Sequence, residues 1–456
     1  MIINPFKNRK TAFLLPLLIV GFVALYFKFG VLIASDSDAY LKASIRVSPL
    51  YPALLSLFKT VFGQNGYLSA VVIFQEILVA YSIFSLMSFV GTRFSLRTVT
   101  VCILTLLFTG IYLSRLFLTG PETLYCNVIM TEALTYPLFY LFVKYAFSAW
   151  DSCSPKAFTT AAVLAFLMAS TRGQLFSLFP VLAVLFFVLL GMLKKRSPAS
   201  AGKFRVRGIL ITVCYFGGVF LFSALYHYGT AGTFSSTSMG REAVFTAVLY
   251  NSDASDMEMF DQNSEEYQLL RKTMDMAESD GITHRGSSGG VIERFRHYEQ
   301  SHDELKNCLL DHIQSMYQVS KYKTKARLVL MSLCDRCLLP LLRINLGQYL
   351  QTCAVNAFGG LMRSISFLNT PGILIAVSGY LLSAVFLILT REKERLKKER
   401  TLLILVLLTI LSNVLFCSFG VFELTRYVFY CFPCFYLTAA LCLISLLREK
   451  RTAQKS

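Results

Sequence analysis

The feature that most constrains this chain is a series of apolar runs of membrane length that recur along it. Hydrophobic residues make up 55% of its 456 residues, and charged residues only 16%. About twenty apolar residues in one helix are enough to cross the hydrocarbon core of a bilayer. The sequence therefore predicts an integral membrane protein, because a soluble domain does not need so much apolar surface.

The predicted architecture is an all-α membrane protein with about ten transmembrane helices and a mainly helical external region. The basic residues near the N-terminus, Lys7, Arg9 and Lys10, precede the first run, which exceeds the apolar part of a signal peptide and lacks a cleavage pattern. We interpret that run as a retained helix. The ten runs lie near 12–33, 68–90, 98–119, 129–149, 156–172, 174–193, 208–228, 370–390, 401–420 and 427–447.

The distribution of basic residues predicts how these helices are oriented. By the positive-inside rule the N-terminus is cytoplasmic, and ten spans return the C-terminus to the same side. The net charge of +17 does not favour nucleic acid, because the Lys and Arg residues lie in short runs between apolar segments. A bacterial cytoplasmic membrane is the expected location, with the endoplasmic reticulum as its topological equivalent. The stretches then grouped in the cytoplasm are Arg93 with Arg97, 194–207, 391–400 and 448–455.

The same reasoning divides the chain into three parts. Residues 1–228 form an N-terminal membrane module of about seven helices, and 369–456 a C-terminal module of about three. Residues 229–368 fall outside the membrane. Helical spacing of apolar residues recurs there over 291–318 and 327–366, and the second stretch could lie on or dip into the membrane.

Two local patterns in the chain are interpreted as structural. The Gly-rich piece 284–290 lacks the ending and strand context of a phosphate loop, which favours a flexible link. Two Cys-x-x-Cys pairs, at 334 and 337 and at 431 and 434, lack the context of a redox or metal site. An external disulfide between Cys334 and Cys337 is the alternative.

Asp36 and Asp38 are the first candidate functional residues, because they follow the first apolar run immediately. An ionisable pair at a membrane surface is a functional-site candidate. A carboxylate there could act as a general base toward a hydroxyl, whose own pKa is high. Either aspartate could instead cap the helix that begins near Ala39.

Several short motifs together resemble the polytopic GT-C glycosyltransferases, of the protein mannosyltransferase and aminoarabinose transferase type. The resemblance is one of layout over most of the chain, and residues 229–368 match nothing in it. It implies a membrane glycosyltransferase that moves a sugar from a polyprenyl-phosphate carrier to a glycan, lipid or protein acceptor at the external face. The motifs are SDSDAY (35–40), SPLYP (48–52), MTEAL (130–134), STRG (170–173) and ELTRY (423–427) with Pro433.

The resemblance and the chemistry give each candidate residue a role. Asp38 or Asp36 would be the base, and a guanidinium such as that of Arg426 could grip the lipid phosphate, although it could also be an interfacial anchor. If a divalent cation such as Mg²⁺ or Mn²⁺ takes part, Asp36, Asp38 and Glu132 are its candidate ligands. The expected substrate-binding residues are Glu132, Glu122, Arg172, Arg426, Tyr40 and Arg46, with Arg115 and Lys42 as weaker candidates.

Two other functions stay open at this point. A flippase for a lipid-linked oligosaccharide would need ionisable residues deep in several helices, and Glu76 in the second span is one such residue. A polysaccharide polymerase or ligase would use the same kind of donor but depend on residues of the large external region. Those residues are Arg285, Arg294, Arg296, His297 and His302.

Overall fold

The computed structural model describes residues 9–320, 323–422 and 424–454, and its regular elements are helices. Lys7, Glu423 and Lys455 lie outside these described residues. Within them no strand forms, and one isolated bridge joins Leu32 to Val128. The α-helices are α1 (Leu14–Phe29), α2 (Ser37–Leu41), α3 (Leu50–Arg93), α4 (Thr98–Thr119), α5 (Glu132–Ser152), α6 (Pro155–Thr171), α7 (Leu178–Arg196), α8 (Pro198–Ala231), α9 (Met239–Tyr250), α10 (Glu265–Ser279), α11 (Val291–Tyr317), α12 (Thr324–Ile344), α13 (Leu346–Arg363), α14 (Thr370–Leu389), α15 (Lys397–Ser418), α16 (Thr425–Val428) and α17 (Cys431–Ala453).

Among the described residues, seven helical segments are long and apolar enough to cross a membrane. Their outer surfaces carry large apolar side chains that no other part of the chain covers: Phe117 is 79% exposed, Leu106 73% and Ile388 72%. Lipid can cover such a surface, whereas exposure of the same surface to water would be unfavourable. The chain is therefore an integral membrane protein. The seven segments are α3, α4, Gly173–Arg196 with α7, α8, α14, Glu394–Ser418 with α15, and Cys431–Arg451 within α17.

Each of the ten predicted runs contains a helix, but the predicted count of about ten spans is not confirmed. Helices α1 and α6 have 16 and 17 residues, which is short for a span. Helix α5 has 21 residues but carries Glu132, Lys144 and Asp151. Nearly all of its side chains are buried against other helices, so α5 does not need the apolar surface that lipid contact requires.

Helix α3 is longer than the predicted span because it continues toward the N-terminus past a kink at Gly63. That residue has φ +71°, a left-handed conformation that glycine adopts without strain. Beyond the kink the helix reaches back to Leu50, and its Leu57, Val61 and Phe62 side chains are exposed. This N-terminal piece of α3 presents an apolar surface next to α2.

Small residues let the central helices of the bundle approach closely. Ala146 and Ala149 of α5, and Ala161 and Ala165 of α6, are fully buried in the main core. Close packing of small residues is a major source of helix association in membranes, where lipid is as apolar as the side chains. The same core includes residues from α1 to α17, so the two predicted membrane modules share one interior.

The predicted cytoplasmic loops meet at one end of the bundle. The Lys398 ammonium donates to the backbone oxygen of Arg93 at 3.2 Å, and the Arg448 guanidinium donates to that of Phe94 at 3.3 Å. Lys393 pairs with Glu449 at 3.0 Å. The structure thus brings together three of the four basic stretches that the sequence analysis assigned to one side.

The region between α8 and α14 has a hydrophobic core of its own. Leu270, Met274, Phe295, Leu309 and Leu330 are buried in it. The predicted helix over 291–318 is confirmed by α11, whereas the predicted stretch 327–366 is divided at Asn345 into α12 and α13. Neither of these two helices is among the candidate spans found in the described residues.

The cysteines of the chain are free thiols, so the alternative disulfide between Cys334 and Cys337 does not form. Both side chains are buried on α12 in the core of the region between α8 and α14. Cys431 and Cys434 are likewise buried on α17. Cysteine at these positions packs as a small hydrophobic residue.

A buried ion pair joins α9 to α12, and its removal should destabilise the region between α8 and α14. Glu242 and Arg327 lie 2.8 Å apart, and both are buried. We expect Glu242→Gln to lower the free energy of unfolding by about 3–5 kcal/mol, because it removes a negative charge that lies 2.8 Å from a buried guanidinium. Asp335→Asn is the matched control, since its exposed pair with Arg241 joins the same two helices and should contribute less than about 1 kcal/mol. Equal losses in thermal or denaturant unfolding of the two variants would contradict this expectation.

Candidate functional site

The segment between α1 and α2, which was predicted to be the first external loop, is held against the loop that precedes α5. The Leu32 amide donates to the Asn127 oxygen, and the Ile129 amide donates to the Leu32 oxygen, both at 3.0 Å. The Ser37 hydroxyl donates to the Ile129 oxygen at 2.9 Å. These bonds place Asp36 beside the start of α5, where Glu132 lies.

Asp36 forms an ion pair with Arg426, a residue 390 positions away along the chain. The Nη2 atom of Arg426 lies 2.8 Å from Oδ2 of Asp36, and both side chains are 25% exposed. Arg426 belongs to the short helix α16, which is fixed by a hydrogen bond of 2.7 Å from the Tyr136 hydroxyl to the Arg426 backbone oxygen. The two ends of the sequence therefore meet at one site.

A second ion pair lies directly behind the first. Oε1 of Glu132, which is fully buried, lies 2.5 Å from Nη1 of Arg172 and 3.8 Å from Nε of Arg426. The Thr131 hydroxyl donates to Oε2 of Glu132 at 3.1 Å. Asp36, Arg426, Glu132 and Arg172 thus alternate in charge along one continuous row.

Tyr427 and Gln174 support the two guanidinium groups. The guanidinium carbon of Arg172 lies 4.4 Å from the centre of the Tyr427 ring, and that of Arg426 lies 5.4 Å from it. The Gln174 side chain accepts from Nε of Arg172 at 2.8 Å and donates to the Tyr427 oxygen at 2.9 Å. Such contacts restrict the orientation of both arginines.

Tyr40 forms part of the buried wall of this site. Its hydroxyl lies 3.4 Å from that of Thr131, and its ring packs edge-on against Tyr51. Burial, with the charge of Glu132 adding to it, raises the pKa of Tyr40 to about 12. Tyr40 therefore stays protonated at neutral pH and can donate a hydrogen bond.

Charge interactions keep Asp36 and Arg426 ionised. Burial alone would raise the pKa of Asp36, but the Arg426 guanidinium, together with smaller contributions from Arg46 and Arg172, outweighs burial and holds this pKa below the usual 3.8. Burial would lower the pKa of Arg426, and the charge of Glu132, together with contributions from Tyr427 and Asp36, more than offsets that effect. Asp36 is consequently a carboxylate at neutral pH.

Two further arginines give the site an excess of positive charge. Arg46 is close enough to lower the pKa of Asp36. The guanidinium of Arg115 lies 5.9 Å from the ring centres of Tyr125 and Phe429, and Tyr125 packs against the Tyr136 ring beside Arg426. We call the six charged residues the arginine–carboxylate cluster: Asp36, Glu132, Arg46, Arg115, Arg172 and Arg426.

The arginine–carboxylate cluster is suited to an anion. Four guanidinium groups and two carboxylates leave a formal charge of +2. The Nε atoms of Arg46, Arg115 and Arg426 are buried without a hydrogen-bond partner in the described chain. Buried donors without partners are costly, so a bound group with several acceptor oxygens would satisfy them.

Three of the charged residues predicted for the site, Asp38, Lys42 and Glu122, lie outside this cluster. Asp38 has a side chain that is 67% exposed and pairs with Lys42 at 2.7 Å. Glu122 is exposed in the turn Pro121–Thr123. The structure therefore brings Asp36, not Asp38, next to Arg426 and Glu132.

The three candidate metal ligands do not converge on one point. Asp38 is turned toward Lys42, while Asp36 and Glu132 are each engaged by a guanidinium. Within the described residues no group of three His, Cys, Asp or Glu side chains could hold a metal ion. The carboxylates present do not fit a divalent cation site, because their nearest partners are cations.

Most of the residues that would serve a polymerase or ligase have structural partners. Arg285 pairs with Asp253, and Arg296 donates to the Leu368 oxygen. His297 lies between the Tyr250 hydroxyl and the Gly281 oxygen. His302 lies beside Asp303 and the Ala243 oxygen, whereas Arg294 lines a cavity.

Comparison with known proteins gives no match to a family model, to a curated protein or to a solved structure. The function is therefore argued from the geometry of the arginine–carboxylate cluster.

Sequence reasoning did not select three residues that shape this cluster. Thr131 bonds to Glu132, Gln174 bridges Arg172 to Tyr427, and the Tyr427 ring lies under two guanidinium groups. Each is adjacent to, or two positions from, a selected residue. That proximity was the only signal in the sequence, since uncharged polar and aromatic residues are common at helix ends.

Removing the buried carboxylate of the cluster should lower the stability of the bundle. We expect Glu132→Gln to cost about 3–5 kcal/mol of unfolding free energy, because Arg172 would lose a counter-charge at 2.5 Å in a buried setting. Asp38→Asn removes an exposed ion pair nearby and should cost less than about 1 kcal/mol. Thermal unfolding of both variants in the same detergent measures the difference. A Glu132→Gln protein as stable as the control would show that this pair does not hold the helices together.

Proposed function

We propose that this protein is a membrane glycosyltransferase that moves a sugar from a polyprenyl-phosphate-linked donor to an acceptor hydroxyl at the external face of the membrane. The observation that carries the proposal is the contact of Asp36 with Arg426 inside a cluster of positive charge. A carboxylate beside anion-binding donors supplies what this transfer needs, namely a base and a partner for the departing phosphate. In this proposal α1, α5 and α6 also cross the membrane, which gives ten spans and cytoplasmic termini.

The position of the cluster supports an external reaction. Arg426 precedes α17 and Arg448 lies near its other end, where the basic loops meet. By the positive-inside rule the basic loops are cytoplasmic, so the cluster lies at the outer surface. A polyprenyl chain would extend from there along the exposed apolar faces of the helices. One such face carries Leu57 and Val61 on the N-terminal piece of α3.

The phosphate of the donor is expected to bind between the arginines. Arg426 and Arg172 are oriented by Tyr427, while the unpartnered Nε atoms of Arg46 and Arg115 can donate to additional oxygens. As the bond from the anomeric carbon to the phosphate oxygen breaks, negative charge grows on that oxygen. Positively charged donors fixed in advance stabilise this charge without reorganising.

Asp36 is the residue placed to act as general base. Its carboxylate accepts the proton of the acceptor hydroxyl while that oxygen bonds to the anomeric carbon. The products are a glycosylated acceptor, polyprenyl phosphate and protonated Asp36, which returns its proton to water. When the donor phosphate draws the guanidinium of Arg426 toward itself, the pKa of Asp36 rises, and the carboxylate becomes a stronger base.

Glu132 acts in this scheme as a positioning residue. It lies behind both arginines and holds Arg172 at 2.5 Å, while its own carboxylate is fully buried. The acceptor cannot reach it without displacing Arg426 or Thr131. Its role is to fix the guanidinium groups toward the donor.

The test is sugar transfer by the purified protein in nanodiscs, with a panel of radiolabelled polyprenyl-phosphate sugars. Transfer by the wild type that is lost in Asp36→Asn would support the proposal. An inactive wild type with every donor, together with lipid-linked intermediates that accumulate in a deletion strain, would overturn it.

Buried ionisable residues favour a flippase of lipid-linked oligosaccharide as the second candidate. Glu76 of α3 is fully buried in the bundle, and Lys144 of α5 is buried and donates to the Ser85 hydroxyl at 2.7 Å. Ionisable groups at such depth often line a translocation pathway. Translocation of a labelled lipid-linked sugar across vesicles without any acceptor would favour this candidate over transfer.

A further inference from the structure

The external region contains a cavity that the proposed reaction does not use. Its volume is about 220 Å³, more than ten times the roughly 10–15 Å³ that a single water requires. Its walls come from α9, α11, α13 and the turn at His284–Gly286. The piece 284–290 that was predicted to be a flexible link therefore forms part of a wall.

The lining of this cavity is polar and carries no negative charge. Tyrosine and serine hydroxyls, glutamine amides and an imidazole face it, and the described residues around it include neither Asp nor Glu. The side chains of Gln348 and Gln351 form no hydrogen bond within the described chain. Several donors and acceptors are thus free for a ligand with many hydroxyl groups.

Arg294 is the one guanidinium on the cavity wall, and it has no carboxylate partner among the described residues. Its neighbours differ in this respect. Arg285 pairs with Asp253, and Arg363 holds Glu299 through two bonds of 2.9 Å. An unpaired guanidinium in a recess free of acidic side chains is suited to a carboxylate ligand, which it can bind through two parallel hydrogen bonds.

The walls of the cavity are fixed by contacts made elsewhere. The Tyr250 and Tyr298 rings pack edge to face with centres 4.9 Å apart, and the Tyr250 hydroxyl lies 2.8 Å from Nδ1 of His297. The Thr352 hydroxyl donates to the Asn251 side chain at 2.6 Å. A site formed in advance loses little conformational entropy when it binds a ligand.

This cavity is also connected to the segment that leads to the cluster. The Tyr298 hydroxyl donates to the Gly420 oxygen at 3.4 Å, and the Tyr349 hydroxyl donates to that of Phe419. Phe422 is buried in the core of the external region, four residues before Arg426. A ligand in the cavity would lie on the same side of the bundle as the arginine–carboxylate cluster.

We propose that this cavity binds one sugar residue that carries a carboxylate, as in a uronic acid. Arg294 binds the carboxylate, and Gln348, Gln351 and Ser287 bind the hydroxyl groups. The size favours a single ring, the amides and hydroxyls favour a polyhydroxylated ligand, and the unpaired guanidinium favours an acid. The binding site does not depend on the transfer reaction and goes beyond it.

The test compares methyl β-glucuronide with methyl β-glucoside by saturation-transfer NMR and calorimetry on the full-length protein in detergent. We expect the wild type to bind the acid more tightly than the neutral sugar. Arg294→Gln should weaken binding of the acid by about tenfold or more and leave the neutral sugar unchanged, since it removes a charge-assisted contact. Gln351→Ala should weaken both ligands.

Arg343→Gln is the control, because Arg343 is exposed on α12 and does not line the cavity. It should bind both sugars as the wild type does. Equal binding of the two sugars by the wild type, an unchanged affinity of a folded Arg294→Gln protein, or displacement of the acid by equal concentrations of acetate would overturn the proposal. Because binding is measured without a donor, its failure would leave the proposed transfer reaction untouched.

Discussion

Replacing Arg426 with glutamine is expected to lower sugar transfer by at least about 100-fold. Removing one preorganised donor to a developing negative charge costs a factor of about 10²–10³ in catalysis. Arg426 should be at the upper end of this range, because it is in contact with Asp36 at 2.8 Å and lies 3.8 Å from Glu132. The substitution therefore removes the phosphate partner and also disturbs the base.

The pH dependence of the Arg426→Gln variant should reveal the second effect. In the wild type the Arg426 guanidinium holds the pKa of Asp36 below 3.8, so the base is ionised throughout the neutral and mildly acidic range. Without that cation the main cause that lowers the pKa is lost, while burial still raises the pKa because it disfavours the charged form. The acid limb of kcat/KM is therefore expected at higher pH in the variant than in the wild type.

Lys42→Gln is the matched control for this experiment. Lys42 is also a cation near the first loop, because it follows α2 directly. It is exposed, however, and contacts Asp38 outside the cluster. Its variant should transfer sugar at the wild-type rate. If Arg426→Gln retained full activity, Arg426 would serve only as an anchor at the membrane surface, and the proposed site would be wrong.

The helices could be predicted from the sequence because their signal is local. Each apolar run contains a helix, and the periodic stretch 291–318 forms α11. The predicted span 68–90 missed the N-terminal piece of α3. Residues 50–62 include polar positions, and the kink at Gly63 separates them from the span. The span predicted over 129–149 is not confirmed for α5 by length and apolar composition, because a helix surrounded by protein can carry buried Glu132 and Lys144.

The candidate site was only partly predictable, because its residues come from distant positions. Asp36, Glu132, Arg172 and Arg426 were selected one by one, from external placement and from the resemblance to a family. Nothing in a single sequence states that positions 36 and 426 are in contact. Their convergence depends on how the first loop pairs with residues 127–129, which is a backbone contact that side-chain patterns do not encode.

The choice between the two aspartates shows the limit of local reasoning. Asp36 precedes α2 and Asp38 lies within its first turn, so their side chains leave the backbone in different directions. The spacing of Asp38 and Lys42, four residues apart on a helix, is typical of an exposed ion pair. Asp36 has no such local partner, and its contact with Arg426 requires the folded bundle.

The substitution Asp36→Asn is expected to lower the transfer rate by about 10²–10⁴-fold, which is the usual contribution of a general base. Asparagine keeps the size of the side chain but cannot accept the proton of the acceptor hydroxyl. The substitution also removes a charge that Arg426 holds at 2.8 Å, so donor binding need not weaken and could strengthen. The rate constant should therefore fall while the KM for the donor stays the same or decreases.

Asp38→Asn provides the comparison that decides between the two carboxylates. Asp38 lies two residues away, belongs to the same loop motif and is largely exposed, so its variant should retain the wild-type rate within about twofold. Both variants are compared in one preparation, with thermal unfolding as the check on folding. A loss confined to Asp38→Asn would place the base outside the arginine–carboxylate cluster. In that case the pairing of Asp36 with Arg426 would be structural. The Asp36 carboxylate would not take part in proton transfer, and its role would be to neutralise one of the four neighbouring guanidinium groups.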